Sequence, residues 1–567
     1  MSPSSASRRT VLAAGAAGTA LLATSPVAPA AGSATTAAPA SSSRAFRHGV
    51  ASGDPLPTGV VLWTRVTPTA ASAPGSGRGP RVEVRWEVAD DPSFRWVVRR
   101  GRAVTGPWRD HTVKVDVGGL RPARWYWYRF TWQGRTSRVG RTRTAPAPDA
   151  SPDRLRWGVV SCANLQAGWF SAYRHLAARD DLDLVLHLGD YLYEYAPTEY
   201  GAGQQDTDVR AHVPAREIVS LADYRQRHAQ YKADPDLADL HARLPFVVTW
   251  DDHESANDAW RRGAENHQPD EGGWRRRRAR AHRAYDEWMP ARMSATADLG
   301  DGTRLYRRLR FGQLAELSML DLRTYRDQQV ATPLVDGEVS DPDRTITGRQ
   351  QLHWLKDSLR PSRPQWRLVG NPVMIAPVTF ASLPAELVDN VNDVTGLLPR
   401  DGSPYNVDQW DGYTDDRREL FAHIRDRGVR DVVFLTGDIH SGWAAELPYD
   451  AGTYPVPVDG EASAGVELVC TSVTSNNLKD ITGTPPRTTS VAVETAIKAD
   501  NPHVKYLDFD SHGFSVLDVT SERVQMDWWV ISSRTDRRAT AAWSTSWATP
   551  AGTARLERAS RPVGGGR

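Results

Sequence analysis

One short stretch, Leu435-Thr436-Gly437-Asp438-Ile439-His440-Ser441, most constrains how this chain of 567 residues can fold. It follows residues 431–434, a mostly apolar run that predicts a buried strand. A buried strand ending in Gly-Asp-x-His places a carboxylate and an imidazole at its carboxyl end, where the sheets of α/β proteins bind ligands. Alone the pattern is weak, because a capped loop after a strand explains it as well.

Four more predicted strands end in side chains of the kinds that bind metal ions. They end in Ser161-Cys162-Ala163-Asn164, Gly189-Asp190-Tyr191-Leu192-Tyr193-Glu194, Trp250-Asp251-Asp252-His253-Glu254 and Gly370-Asn371-Pro372-Val373. Each has a structural explanation: Cys162 as a core residue, Tyr193 as a packing ring, and Asp251 with Asp252 as a helix cap. Carboxylates that converge at one sheet edge repel one another unless a cation neutralises them. The set as a whole therefore predicts a metal site.

The ligand types leave more than one metal open. Asp, Asn and carbonyl oxygens suit hard divalent cations such as Ca²⁺, Mg²⁺ or Mn²⁺. A thiolate, a tyrosinate and an imidazole favour a transition metal, and deprotonated Cys162 and Tyr193 point to Fe³⁺ over Zn²⁺, because a trivalent ion lowers the pKa of a phenol more strongly. Two adjacent ions bridged by Asp190 would activate a hydroxide and bind an oxyanion between them.

The chain is too long for one hydrophobic core, and its patterns divide it. Short alternating strands between turns in residues 45–150 predict a small all-β domain of the immunoglobulin or fibronectin type. Strands that alternate with amphipathic helices in residues 151–532 predict a layered α/β or α+β domain. Residues 533–567, rich in Arg, Ala, Thr and Gly, are expected to form a mobile tail or a strap over this domain.

Residues 1–31 carry the pattern of an export signal. Arg8 and Arg9 precede an apolar stretch rich in Ala, Gly and Leu, and 28–30 offer a cleavage site of small residues. Paired arginines favour the twin-arginine export machinery as a partner, with an ordinary secretory signal as the alternative. We therefore expect a secreted or cell-wall-associated protein, with residues 32–44 as a disordered linker.

Charge and cysteine content limit the partners and the covalent structure. The formal net charge of +2 gives no case for a stable nucleic-acid partner. The two cysteines, Cys162 and Cys470, could form one disulfide in an exported protein. No stretch after the signal is long and apolar enough to span a membrane.

The ordered motifs resemble those of the PhoD-type alkaline phosphatases, within the calcineurin-like metallophosphoesterases. The resemblance is carried by Ser-Cys-x-Asn at 161–164, Gly-Asp-Tyr-x-Tyr-Glu at 189–194, Trp-Asp-Asp-His-Glu at 250–254 and Thr-Gly-Asp-Ile-His-Ser at 436–441. Residues 46–55 and 62–65 resemble the opening of that family's N-terminal domain. The resemblance runs from about residue 44 to residue 530. It implies a four-layer α/β (α+β) metallophosphoesterase sandwich after the small β domain.

Several positions depart from the pattern of the wider superfamily. Cys162 stands near the first acidic ligand, and Tyr193 replaces the second Asp of Gly-Asp-x-x-Asp. Asp252 replaces the Asn before the histidine, and Asp438 replaces the first His of the last motif. These departures are those expected of PhoD-type enzymes, which the resemblance implies use Fe³⁺ together with Ca²⁺. The resemblance also argues against a disulfide at Cys162.

The resemblance implies a role for each candidate residue. The ligands would be Cys162, Tyr193 and His440 for Fe³⁺, Asp190 as the bridge, and Asp252, Asn371 and Asp438 as candidates for the Ca²⁺ side. His253 would lie beside the phosphoryl group, to stabilise charge or to protonate the leaving alkoxide. Arg323 is predicted to contact phosphate, since a guanidinium matches two phosphoryl oxygens; a surface ion pair is the alternative.

The implied function is a secreted, metal-dependent phosphatase that hydrolyses phosphomonoesters and phosphodiesters by attack of a metal-bound hydroxide, for phosphate scavenging. The alternative keeps the site but acts as a phospholipase D- or C-like phosphodiesterase on phospholipid headgroups; nucleotides are a further possible ester. A non-enzymatic cell-surface binding protein is disfavoured, because a closed structural metal site needs neither His253 nor an open, phosphate-sized gap.

Overall fold

The structure is a computed structural model that describes residues 44–200, 209–293, 304–330, 337–361, 364–380, 403–458 and 460–564. The predicted export signal, residues 1–31, lies outside the described residues, as does the predicted linker up to residue 43.

The described residues form two large sheets, a five-stranded sheet, a small two-stranded sheet and flanking helices. The strands are β1 Val50–Leu56, β2 Gly59–Arg65, β3 Val82–Ala89, β4 Val97–Thr105, β5 Thr112–Gly118, β6 Trp125–Trp132, β7 Arg135–Thr136, β8 Gly140–Arg143, β9 Leu155–Val160, β10 Leu184–Leu188, β11 Phe246–Thr249, β12 Arg307–Phe311, β13 Ala315–Met319, β14 Trp366–Asn371, β15 Thr379–Phe380, β16 Ser403–Pro404, β17 Val432–Thr436, β18 Gly442–Pro448, β19 Ser463–Val469, β20 Val504–Asp508, β21 Gly513–Val519, β22 Arg523–Ile531, β23 Ala541–Pro550 and β24 Glu557–Ala559. The α-helices are α1 Ser171–Ala177, α2 Leu221–Lys232, α3 Pro235–Arg243, α4 Trp274–Trp288, α5 Arg349–Ser358, α6 Thr414–Asp426, α7 Leu478–Thr482 and α8 Thr489–Asp500.

Local sequence sets where helices α2 and α3 begin. The Ser220 side chain accepts from the Asp223 amide while the Asp223 side chain accepts from the backbone of Ser220, which caps α2. Asp234 caps α3 by accepting from the Leu237 amide, and Pro235 is its first residue. In the described part of the chain, every helix falls short of what a membrane span requires in length or apolarity.

The two large sheets carry parallel strands at their centres. The ten-stranded sheet has the order β24-β23-β22-β21-β9-β10-β11-β1-β2-β5, with β9, β10 and β11 parallel. The seven-stranded sheet has the order β12-β13-β14-β17-β19-β18-β20, with β13, β14, β17 and β19 parallel. In each sheet the carboxyl ends of these parallel strands therefore lie along one edge.

Alternate residues of the central strands face two different cores. In β10, Leu184, Leu186 and Leu188 pack between the two sheets, whereas Val185 packs against helices α1–α4. Strand β17 alternates in the same way between the inter-sheet core and a core beneath α5, α6 and α8. Because side chains alternate with a period of two along a strand, each sheet is buried on both faces. The result is the predicted four-layer sandwich of helices, sheet, sheet and helices.

The predicted all-β domain is present, but it shares a sheet with the rest of the chain. Strands β3, β4, β6, β7 and β8 form a five-stranded sheet. Its core partners are β1, β2 and β5, and these three strands continue the ten-stranded sheet through a pairing of Gly53 with Phe246 in β11. The sandwich predicted for residues 45–150 is thus built onto the edge of the larger domain.

The prediction of a mobile tail or strap for residues 533–567 is corrected by the structure. Strand β23 pairs with β22 along its whole length, and β24 pairs with β23, so both extend the ten-stranded sheet. The Val563 amide donates to Asp527 at 2.7 Å, which holds the segment beyond β24 against the sheet. The described part of the C-terminal segment, residues 533–564, is therefore part of the fold.

Candidate metal centre

The two large sheets meet at the edge where their parallel strands end. Ser161, just after β9, forms a parallel bridge with Ser472, just after β19. A Cβ atom on Gly437 would lie 2.8 Å from Ser161 Cβ, so only glycine permits this approach of the strand ends. The same holds at Gly189, where φ is +104° and a Cβ would lie 2.6 Å from Asp251 Cβ.

The first group of candidate ligands comes from strands of both sheets. Ligand atoms of Cys162, Asp190 and His440 all lie within 4.8 Å of one another. The Tyr193 hydroxyl donates to Asp190 Oδ2 at 2.8 Å and lies 3.2 Å from His440 Nε2. The structure thus brings together a thiol, a carboxyl, a phenol and an imidazole, as the motifs predict.

A second group of acidic residues adjoins the first. Ligand atoms of Asp190, Asp252 and His253 lie within 4.8 Å of one another, and so do those of Asp251, Asp252 and Asp438. Asp190 belongs to both groups, which is the position of a bridging ligand. Its Oδ1 atom is buried and has no hydrogen-bond partner among the described residues, so one coordinating oxygen is left for a cation.

Burial opposes ionisation in the first group. It raises the pKa of the Cys162 thiol well above its usual value, and nearby Asp190 raises it further. Burial likewise raises the pKa of Asp190 well above its usual value, against the opposing effect of His253 and with help from Asp252. The thiolate and carboxylate that bind metals would therefore need a cation to form here, which makes the donor set fit a metal site.

The two histidines differ in their electrostatic surroundings. Burial lowers the pKa of His440 to about 4, so its imidazole is neutral at pH 7 and able to bind a metal. Burial also acts to lower the pKa of His253, but Asp252, Asp190 and Glu194 outweigh it and raise that pKa well above its usual value. His253 Nδ1 lies 2.8 Å from Glu194 Oε2, so it is held as a protonated donor.

Arg323 lies inside the acidic group, so the alternative of a surface ion pair is excluded. Its Nε and Nη2 atoms donate to Asp251 at 2.5 and 3.1 Å, and Nη1 donates to both oxygens of Asp408 at 2.9 Å. Nη2 also lies 3.4 Å from Asp438 and 3.7 Å from Asp252. Both edges of the guanidinium are occupied, so contact with phosphate requires a carboxylate to be released.

Asn371 is held in a separate hydrogen-bond network. Its Oδ1 atom accepts from the Trp410 indole at 3.1 Å, and its Nδ2 donates to Thr436 Oγ1 at 3.1 Å. Glu467 completes this buried network by accepting from the Thr436 hydroxyl at 2.6 Å. The Ca²⁺ ligand role predicted for Asn371 stays a prediction that these bonds do not support.

Two acidic residues within the motifs support the site rather than form it. Glu254 accepts from the amides of Asp190 at 3.2 Å and Asp251 at 2.9 Å, and so ties the ends of two strands together. Glu194 accepts from the Asn257 amide at 2.7 Å as well as contacting His253. Both residues belong to the motifs and could have been identified there as positioning groups.

Other contributors carried no signal in the sequence. Asp408 lies in a loop outside every motif, yet its ligand atoms lie within 4.8 Å of those of Asp252 and Asp258. Ser475 and Asn476, in the loop after β19, contact Tyr193 and His440. Polar residues in loops are common, so only the fold reveals these contacts.

Four of the candidate ligands have left-handed backbone conformations. The φ angles are +58° at Cys162, +55° at Asp190, +63° at Asp438 and +56° at His440. Residues other than glycine rarely adopt these angles, and each such residue costs on the order of 1–3 kcal/mol. Each lies just past the end of its strand, where the chain turns sharply into the site.

The fold and the site define a class of protein: a four-layer α/β domain with a buried, metal-type acid and histidine site where two sets of parallel strands end. Residues 157–528 match the PhoD-like phosphatase family, and residues 31–146 match the family described as PhoD-like phosphatase, N-terminal domain. The chain therefore belongs to the PhoD-like phosphatases and is a phosphoric ester hydrolase, as its motifs predict.

Two relatives support this assignment over most of their length. The chain is 37% identical over 498 residues to Alkaline phosphatase D of Bacillus subtilis (strain 168), covering 87% of this chain and 79% of that protein. A solved structure described as Structure of PhoD superposes with a TM-score of 0.79 at 34% identity, covering 93% of this chain and 94% of that one.

Proposed function

We propose that this chain is an exported phosphatase of the alkaline phosphatase D type that releases phosphate from monoesters and also hydrolyses diesters. The observation that carries the proposal is the position of Asp190, which is shared by the thiol and imidazole group and the carboxylate group. Sharing of one carboxylate between two unlike ligand sets is the arrangement expected of a binuclear hydrolase.

We propose Fe³⁺ and Ca²⁺ as the two ions. Cys162, Tyr193 and His440 would hold Fe³⁺, because thiolate, phenolate and imidazole donors suit a transition metal, while Asp252 and Asp438 would serve Ca²⁺, which prefers carboxylate oxygens. When bound, the ions would supply the Lewis acidity that activates water and neutralises the charge of the phosphoryl group.

His253 is proposed as the general acid of the reaction. Its Nδ1 is engaged by Glu194 at 2.8 Å, so its proton for transfer is on Nε2. Protonation of the leaving alkoxide by a positioned imidazolium contributes about 10²–10⁴-fold to such reactions. The carboxylates around His253 keep it charged, which suits a donor rather than a base.

Arg323 is proposed to have two roles in turn. In the present arrangement it neutralises Asp251 and Asp408, which would otherwise repel each other. Once a cation binds the neighbouring carboxylates, an edge of the guanidinium becomes available to donate to phosphoryl oxygens.

A panel of esters tests the proposed activity. The purified protein should release phosphate from an aryl phosphomonoester and the alcohol from a bis-aryl phosphodiester, and Asp190→Ala should do neither. Phosphatidylcholine distinguishes the phospholipase alternative: free choline without phosphate release from the monoester would support it and contradict the phosphatase proposal.

Export by the twin-arginine machinery is part of the proposal and rests on the sequence around Arg8 and Arg9. Replacement of both arginines by lysine should leave active protein in the cytoplasm, because that machinery requires the arginine pair. Unchanged recovery of the double variant outside the cell would contradict this route and favour an ordinary secretory signal.

A further inference from the structure

A short loop after β19, residues 474–476, contacts two of the candidate Fe³⁺ ligands. Ser475 Oγ lies 2.6 Å from the Tyr193 hydroxyl. The Asn476 carbonyl oxygen lies 2.8 Å from His440 Nδ1. A carbonyl can only accept, so Nδ1 carries the proton and Nε2, the atom facing Tyr193, keeps its lone pair for a metal.

The same loop is attached to the third ligand. The amides of Thr474 and Ser475 donate to the Cys162 carbonyl oxygen at 3.3 and 3.2 Å. The Ser475 hydroxyl lies 2.9 Å from that same carbonyl oxygen. Its single proton can therefore be donated either to Cys162 or to Tyr193. Once Tyr193 binds a metal as a phenolate, it has become the stronger acceptor of the two.

One arginine from the C-terminal part of the chain holds this loop. Arg534 is 4% exposed and follows β22. Its Nη1 atom donates to the Thr474 carbonyl at 2.7 Å and to Asn476 Oδ1 at 2.5 Å, and its Nη2 lies 3.4 Å from Asp480. One guanidinium can make these contacts simultaneously because its donors lie in a rigid plane.

A second set of hydrogen bonds, made by His512, Asp480 and Ser472, also holds the loop. His512 Nε2 lies 2.8 Å from Asp480, and its Nδ1 lies 2.9 Å from Ser472 Oγ. The Ser472 hydroxyl donates to the Ser475 carbonyl at 2.8 Å. Although Ser472, His512 and Asp480 resemble a nucleophile triad, Ser472 is fully buried and bonded within the loop, so this set serves as a support.

We propose that Ser475 and Arg534 are positioning residues of the metal centre: Ser475 orients the Tyr193 phenolate, and Arg534 fixes the loop that orients both Tyr193 and His440. The inference rests on the proposed function, because it concerns the Fe³⁺ side of the site. Groups that orient metal ligands in this way typically change metal affinity by about 10–100-fold when removed.

Three variants and a matched control test the inference on the full-length, metal-loaded protein. Arg534→Met should lower the affinity for iron about 10–100-fold in competition with a chelator, and Arg534→Lys should recover part of that loss. Ser475→Ala should keep the iron but move the visible absorption band to longer wavelength, because a phenolate without its hydrogen bond gives up an electron more easily. The control is Arg538→Met, an exposed arginine nearby, which should change neither reading.

The outcomes separate this inference from the proposed function. A wild-type protein that binds no iron overturns the proposed cofactor, and the affinity comparison is then made with the metal that it does bind. The positioning roles alone are overturned by two results obtained together in folded, iron-loaded protein. These results are an unchanged iron affinity in Arg534→Met and an unchanged visible absorption band in Ser475→Ala. Thermal unfolding of each variant identifies a loss of iron that is due only to a loss of folding.

Discussion

Arg323→Met should destabilise the protein far more than the loss of an ordinary arginine, because it removes a buried cation that contacts the carboxylates Asp251, Asp408 and Asp438. Arg326 still pairs with Asp408 in this variant, at 2.7 Å, so the uncompensated charge falls on Asp251 and Asp438. The Arg323 side chain is 2% exposed and those of Asp251 and Asp408 are each 1% exposed. Removing one partner of a buried ion pair costs about 3–5 kcal/mol, since the remaining charge is left uncompensated.

The matched control is Arg261→Met, which breaks a pair with Asp327 of similar length, 2.6 Å, but with side chains 50% and 25% exposed. Such surface pairs are worth roughly 0–1 kcal/mol. Unfolding by denaturant in the presence of EDTA should therefore show a loss for Arg323→Met that exceeds the loss for Arg261→Met by at least ~2 kcal/mol.

Calcium provides the second half of the assay. Without Arg323 the carboxylates repel one another, so Ca²⁺ should stabilise Arg323→Met more than wild type; ligand at a hundred times its Kd adds about 2.7 kcal/mol. If Arg323→Met and Arg261→Met lose the same stability in EDTA, the guanidinium is not what neutralises this group. If Ca²⁺ stabilises wild type and Arg323→Met equally, Arg323 does not compete with the cation for these carboxylates, and if Ca²⁺ stabilises neither protein, the carboxylates are not a Ca²⁺ site.

Four further predictions follow from the site and the sheet. Iron-loaded protein should absorb visible light through a tyrosinate-to-Fe³⁺ transition, and Tyr193→Phe should lose this band; a colourless, active wild type would contradict the ligand. Cys162→Ala should lose iron but stay folded by circular dichroism, and retained iron would mean that Cys162 is a packing residue and not a metal ligand. Chelation of Ca²⁺ should abolish activity and added Ca²⁺ should restore it, whereas indifference to chelator would mean a different second ion. Ending the chain at residue 540 should promote aggregation, measured by light scattering, because it uncovers the edge of β22; a soluble monomer with an unchanged thermal midpoint would show that β23 is dispensable.

The sequence predicts the centre of this fold well because its central strands are short, continuous apolar runs that end in polar motifs. Strands β9, β10 and β11 end immediately before the motifs that begin at residues 161, 189 and 250, and strands β14 and β17 run into their motifs. Since both sheets are buried on both faces, such runs leave little freedom in where the strands lie. Once the strands are placed, the positions of the motif residues can be predicted as well, because these residues lie at the carboxyl ends of the strands.

The periphery was harder to predict because it depends on contacts between distant segments. The small β domain joins the large sheet through the pairing of Gly53 with Phe246, two residues far apart in the sequence whose pairing leaves no pattern in it. Strand β23, with the sequence AAWSTSWATP, is rich in Ala, Ser and Thr and lacks a regular alternation. Its strand conformation comes from pairing with β22, so tertiary context outweighs local preference.

The backbone conformation at the candidate ligands gives a further argument for the metal centre. Cys162, Asp190, Asp438 and His440 come from three separate segments of the sequence, yet all four have left-handed φ angles and all four lie at the edge where the two large sheets meet. Packing alone would favour glycine at such positions, because glycine adopts these angles without steric cost. The chain instead carries thiol, carboxylate and imidazole groups there, at an expense of order 1–3 kcal/mol for each residue. Strain kept at four points of one site is best explained by a ligand that all four side chains must reach, and a bound cation meets that requirement.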